Sequence, residues 1–134
     1  MHEDPTRPAI VLGDAEHRRL LIMAMTEPGH SSEDSDFLNY ELDRARRVPD
    51  RTLPSDAVRI GSTVTYRSSD QEGLRVVKIV EPAQSDSARG WVSVLSPLGA
   101  TLLGLRPGQS ITRMGWDGDF RTFTVIAAMP SWAQ

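Results

Sequence analysis

Three carboxylates fall within four positions of this chain, Glu33, Asp34 and Asp36, and they form its only acidic cluster that could do chemistry. Carboxylate oxygens are ligands for hard divalent ions such as Mg²⁺, which would make the cluster a metal-holding device. The same residues also read as the start of a helix. Ser31 and Asp34 stand in a capping arrangement, and acids in a first helical turn are stabilised by the dipole by about 0.3–1 kcal/mol each. That reading carries more weight. The histidines His2, His17 and His30 all lie in the N-terminal third without the i, i+4 spacing of a helical metal pair, so His17 and His30 are expected to be solvated.

Nucleophilic catalysis has little to draw on, because the chain has no cysteine and its histidines are remote from the C-terminal half. Neither a GxxxxGK[ST] loop nor a GxGxxG turn occurs, so nothing is expected to cradle nucleotide phosphates, and no cofactor or metal is implied. The expectation is a protein that is not an enzyme.

The elements that must position these residues divide the 134-residue chain in two. Asp14–Met25 lacks Gly and Pro and begins with a plausible N-cap at Asp14, which predicts a first helix. Ser32–Arg47 predicts a second, with Leu38, Leu42 and Ala45 at i, i+4, i+7 and arginines at its C-terminal end. Two consecutive helices joined by a short polar turn predict an antiparallel hairpin over residues 1–47. Sixteen helical residues span only ~24 Å, a short arm. Leu20, Leu21, Ile22, Met23 and Met25 make the end of the first helix, Leu20–Met25, apolar on every side for almost two turns, which requires contact with the rest of the chain or self-association. Residues 48–57 carry Pro49 and Pro54 and read as a semi-rigid linker.

From Val58 to the end, residues 58–134, the period changes to two. Strands are predicted around Val64–Tyr66, Leu74–Val80, Trp91–Leu95, Ser110–Met114 and Thr122–Ala128, and the turns at Asp70–Gly73 and Asp117–Gly118 suit antiparallel hairpins. One helix interrupts them: Ser96 caps it, Pro97 takes its first position, Leu98, Leu102 and Leu103 face inward and Gly104 ends it. Tyr66, Trp91, Phe120 and Phe123 are expected in the core or in cross-strand pairs, and Trp116 beside the last turn either packs on Phe120 or anchors a partner. The fold class is α+β.

Composition narrows the partners. Hydrophobic residues make up 39% and charged residues 25%, and no apolar run approaches the ~20 residues of a membrane-spanning helix. A net charge of −3 argues against autonomous nucleic-acid binding. The start MHEDPTRP lacks the features of a secretory signal, so the cytoplasm is the expected location.

The runs VSVLSPLGATLLGLRPGQSI at Val92–Ile111, NYELDRA at Asn39–Ala45 and PSDAVRIGSTVTYR at Pro54–Arg67 resemble the Gre transcription factors, and most closely the Rnk family, regulators of nucleoside diphosphate kinase. The resemblance implies an FKBP-like antiparallel β domain with one helix packed on its sheet, docked on the rim of the RNA polymerase secondary channel, and a helical hairpin pointing toward that channel. It implies polymerase contact at Leu95, Ser96, Pro97 and Leu98, although Gre factors typically carry an acidic residue where Leu95 stands. It also places Glu33, Asp34 and Asp36 near the arm tip, where Gre factors hold acids that stimulate transcript cleavage. The arm is shorter than a Gre coiled coil, so a non-enzymatic polymerase-binding regulator is the favoured expectation and cleavage stimulation the alternative.

Overall fold

The computed structural model describes residues 8–27, 32–114 and 117–133. A short strand β1 (Val11–Gly13) runs directly into helix α1 (Asp14–Thr26), and α2 (Ser32–Arg44) is followed by strand β2 (Arg46–Val48). Both expected helices form, with two shifts at their ends. The N-cap of α1 is Gly13, not Asp14, and the cap is supplied from elsewhere: Asp50 Oδ1 accepts from Ala15 N at 3.1 Å. A Cβ at position 13 would stand 2.2 Å from that same oxygen, so the glycine makes room for the borrowed cap. Helix α2 stops three residues before the expected Arg47. Arg46–Val48 instead pairs in parallel with Val11–Gly13, and Arg46 N donates to Ile10 O at 2.9 Å. Pro49 favours this by biasing Val48 toward extended backbone.

The core shows no boundary between a helical arm and a β domain. Leu12, Leu20, Met23, Leu38 and Leu42 belong to the same buried cluster as Val58, Ile79, Leu102, Leu105 and Ile111. The expected linker is part of that body too: Leu53 and Ala57 are buried, and Val58, which follows it, donates from its N to Leu105 O and accepts from Gly104 N, both at 2.9 Å. The apolar Leu20–Met25 segment of α1 explains this attachment, which buries Leu20 and Met23 and leaves Ile22 and Met25 exposed. One helix can cover only part of its circumference, and the sheet body covers more.

Five strands form the main sheet, in the order β5 (Trp91–Ser93), β4 (Arg75–Val80), β3 (Thr63–Ser68), β7 (Phe120–Met129), β6 (Ser110–Met114). The antiparallel expectation holds for β3 with β4, β3 with β7 and β6 with β7, but β4 and β5 are parallel. Ten residues separate these two strands, and the 3₁₀ turns Pro82–Gln84 and Ser87–Arg89 carry the chain back before Trp91 pairs with Lys78. A parallel pair needs such a crossover, whereas a hairpin would use a tight turn.

Helix α3 (Pro97–Leu102) forms as its sequence dictates. The Ser96 hydroxyl accepts from Gly99 N at 3.1 Å, and Gly104 ends the segment at φ +78 with Ile10 packed against it. Leu102 and Leu103 are fully buried, while Leu98 is half-buried at the edge of the core.

Candidate functional site

The inward face of the sheet is read by alternation. Val64, Tyr66 and Ser68 of β3 point inward, as do Ile111 of β6 and, one step on, Arg113. Arg121 faces Arg113 across the β6–β7 ladder, and Phe123 faces Ile111. Where this face is covered neither by α3 nor by α2, a cavity of about 470 Å³ remains. Its floor is Tyr66 and Phe123, with ring centroids 6.3 Å apart and planes tilted by 43°. Pro97, Leu98 and Thr101 of α3 form one wall, and Glu33 and Asp34 from the first turn of α2 reach the rim.

Arg113 fastens three elements around this cavity. Its guanidinium lies 3.9 Å from the centroid of the Phe37 ring of α2, and it donates to Thr101 Oγ1 at 2.7 Å and to Pro97 O at 3.2 Å on α3. The stack on an aromatic face uses the cation and the planar fork together. Arg121, its neighbour across the ladder, is held by two carboxylates, donating to Asp70 at 2.8 Å and also to Asp117. The Ser68 hydroxyl and the Arg121 fork hold the Asp70 carboxyl below the usual carboxylate range, and Arg121 does the same to Asp117. Those two carboxylates in turn raise Arg121. Burial pushes the Tyr66 hydroxyl up, with Arg75 opposing and Asp70 adding to the shift.

A second, smaller hollow lies at the N-terminus of α1, between Glu16, Arg19, Asp50 and Arg59. Glu16 accepts from Ile60 N at 2.6 Å, and its burial outweighs that bond and the nearby Arg59, so its carboxyl is raised above the ordinary value.

The sequence-predicted contact residues fare unequally. Leu95 is only 4% exposed and belongs to the core, so it cannot be offered to a partner. That placement also accounts for a leucine standing where an acid was anticipated, since an unpaired charge at this depth would be costly. Ser96 spends its hydroxyl on the cap and on a bond donated to Ser93 O at 2.6 Å. Pro97 is exposed and Leu98 half-buried, side by side at the cavity wall. Glu33 and Asp34 come to the cavity rim, whereas Asp36 is exposed and does not line it.

Other expectations need correction. Leu20 and Met23 are core residues and Leu21 is half-buried, which leaves only Ile22 and Met25 of the proposed self-association set on the surface. His17 is buried, not solvated: its Nε2 donates to Leu42 O at 2.8 Å, one of the α2 carbonyls without an intrahelical partner. Phe120 is 67% exposed and so not in the core, while in the β6–β7 ladder it stands opposite Met114, a cross-strand pair as the alternative expected. His2, His30, Ser31 and Trp116 lie outside the described residues. The sequence reading missed Arg113 and Arg121. Their signal was available, since each is a charge at an inward position of a strand with period-two alternation.

An apolar cavity under a mixed sheet, lined in part by the Arg121–Asp70 ion pair, sits on an α+β scaffold. The family model described as "Transcription elongation factor, GreA/GreB, C-term" matches residues 53–130. A regulator of nucleoside diphosphate kinase from Escherichia coli (strain K12) is 36% identical over 107 residues, covering 79% of this chain and 78% of that protein. A transcription elongation factor GreA from Rhodopseudomonas palustris (strain TIE-1) is 32% identical over 99 residues, 74% of this chain and 63% of that protein. Among solved structures, a prokaryotic transcription elongation factor GreA/GreB from Nitrosomonas europaea superposes with a TM-score of 0.70 at 27% identity, covering 92% of this chain and 99% of that one. The chain belongs to the Rnk family, the regulators of nucleoside diphosphate kinase related to the Gre factors.

Proposed function

We propose that this protein is a soluble, cytoplasmic, non-enzymatic transcription regulator that binds RNA polymerase at the rim of its secondary channel through the FKBP-like half of the chain, residues 58–134. The observation that carries this reading is the exposed Pro97 beside half-buried Leu98, held rigidly at the head of α3 by the Ser96 cap and by Arg113. A fixed apolar step of this kind suits a docking contact, because little side-chain freedom is lost on binding. Ser96 supports the geometry, and Leu95 supports it from the core. The link to nucleoside diphosphate kinase is then indirect, through transcription.

The alternative is a factor that stimulates transcript cleavage through Glu33, Asp34 and Asp36. The helices that would carry these acids are 13 residues each, ~20 Å long at 1.5 Å per residue, and their apolar faces are packed on the body. That packing favours the adaptor.

The test is capture of purified RNA polymerase by the tagged chain, compared with Leu98→Asp and with a cleavage assay on backtracked complexes. Capture lost in Leu98→Asp, with no shortening of transcripts by the wild type, is the expected result. Transcript shortening that disappears in the Asp34→Ala, Asp36→Ala double variant would establish the alternative instead.

A further inference from the structure

We infer that the hollow beside the first turn of α1 is a site for a small neutral amide, whose N–H donates to the second carboxylate oxygen of Glu16 and whose C=O accepts from the Arg59 guanidinium. The inference is independent of the polymerase reading, because this hollow shares no lining residue with the cavity at Pro97 and Leu98.

Glu16 and Arg59 line the same hollow without forming an ion pair. Among the described residues Glu16 uses one oxygen, Oε1, which accepts from Ile60 N, and its other oxygen has no partner. The Arg59 side chain has no hydrogen-bond or ion-pair partner among those residues, and its Nε is wholly enclosed. Both side chains are therefore fixed in place, Glu16 by its bond to the backbone next to Arg59 and Arg59 by the packing around Nε. A carboxylate and a guanidinium held apart in one half-buried hollow leave an acceptor and a donor for a third group to satisfy together. The other charges there are committed. Arg19 is paired with Glu81, and Asp50 accepts from Ala15 N, so that amide of the helix terminus is not offered to a ligand.

Charge decides what kind of occupant fits. An anion would pair with Arg59 and be repelled by Glu16, and a cation would meet the reverse. A zwitterion satisfies both groups but must bring two full charges out of water, into surroundings whose burial already raises the Glu16 carboxyl. A neutral amide supplies a donor and an acceptor close together with no charge to desolvate. One water could bridge the same pair, but the hollow measures about 290 Å³, against ~30 Å³ for a water molecule. Space of this size, with Gly13, Ala15, Leu53 and Ile60 completing the lining, suits an amide carried on a small ring or a short apolar frame. A primary carboxamide and the lactam edge of a ring present the same two groups.

The test titrates the isotope-labelled full chain with nicotinamide, a carboxamide, and with uracil, a lactam. Nicotinate, 1,3-dimethyluracil and glycine serve as comparators, being respectively an anion, a ring without an N–H donor and a zwitterion. Saturable perturbation of the Ala15, Arg59 and Ile60 amides by nicotinamide, by uracil or by both is the expected result, and which of them acts distinguishes the two sources of the amide. Loss of a hydrogen bond to a charged group should make binding roughly tenfold or more weaker in Arg59→Met and in Glu16→Gln. Thermal melting of both variants at neutral pH should stay equal to or above the wild type, because Arg59→Met removes an enclosed unpartnered atom and Glu16→Gln keeps the acceptor for Ile60 N, which separates lost binding from lost folding. No perturbation by either amide, comparators that perturb the same amides as strongly, or unchanged affinity in the two variants would each overturn the inference. No polymerase is present in these measurements, so their failure leaves the docking proposal standing.

Discussion

Replacing Arg113 by alanine tests how the helical half is held to the sheet. Among the described residues, the side chain stacks on Phe37 and donates hydrogen bonds to Thr101 Oγ1 and Pro97 O. A cation–π contact contributes ~0.5–2 kcal/mol and a hydrogen bond from a charged group ~1.5–3 kcal/mol when well buried. Two facts lower the total. Arg113 is partly exposed, and its two acceptors keep a bond to each other, because Thr101 Oγ1 donates to Pro97 O at 2.6 Å. No buried group is left unpaired by the truncation, so the expected loss is about 1.5–3 kcal/mol. Urea unfolding gives this figure, and a cycle with Phe37→Leu should return a coupling of about 0.5–2 kcal/mol for the stack. Arg113→Lys should recover less than half the loss, because an ammonium lacks the planar fork that stacks and donates together. Hydrogen exchange locates the damage: amides in α2 should lose protection while those of β3 and β7 keep theirs. A loss below about 0.5 kcal/mol with unchanged α2 protection would refute the reasoning, and would mean that α2 is held by its leucines alone.

Other perturbations probe the remaining parts of the scaffold. Asp50→Ala should cost ~0.5–2 kcal/mol by unfolding measurements, the ordinary value of an N-cap, although the cap lies 35 residues from the amide it serves. Glu16 has a raised folded pKa, so its protonated form is favoured by folding; stability should fall as pH rises from the unfolded carboxylate value through the raised one, and Glu16→Gln, which keeps the acceptor for Ile60 N, should flatten that part of a stability-versus-pH curve. Leu102→Ala should cost ~2–5 kcal/mol by denaturant unfolding, since the side chain is fully buried where α3 meets the core.

Local signals in this sequence were read well and long-range ones poorly, for a physical reason in each case. The Ser96-Pro97 start and Gly104 stop of α3 depend only on neighbouring backbone, as do the turns at Asp70–Gly73 and Asp117–Gly118, and they form as the residue types require. The attachment of α1 and α2 to the body depends on contacts such as Ile10 against Gly104 and His17 against Leu42 O, between residues far apart in the chain. Nothing in a periodicity announces these. Strand β1 is three residues long, too short to carry an alternation, yet its pairing with β2 ends α2 early and turns a predicted linker into part of the fold. Leu95 shows the limit of motif reasoning at the candidate site. Its place beside Ser96 and Pro97 suggested a contact, but the strand-to-helix turn that exposes Pro97 leaves the Leu95 side chain buried.

Glu33 and Asp34 now bear on both functional readings, because they share a face with Leu98 and are not set apart from it. On the adaptor reading these acids are rim charges of the docking surface. Replacing both by alanine should then weaken polymerase capture modestly, by roughly 1.5- to 5-fold per charge, with the difference shrinking at high salt, since exposed pairs contribute ~0.2–1 kcal/mol and are screened. On the cleavage reading their oxygens must coordinate Mg²⁺ at about 2.1 Å inside the polymerase, and capture should be untouched while transcript shortening disappears. Affinity and cleavage measured on the same double variant at two salt concentrations therefore separate the readings. A salt-sensitive loss of affinity supports docking, and intact affinity with lost cleavage would refute it.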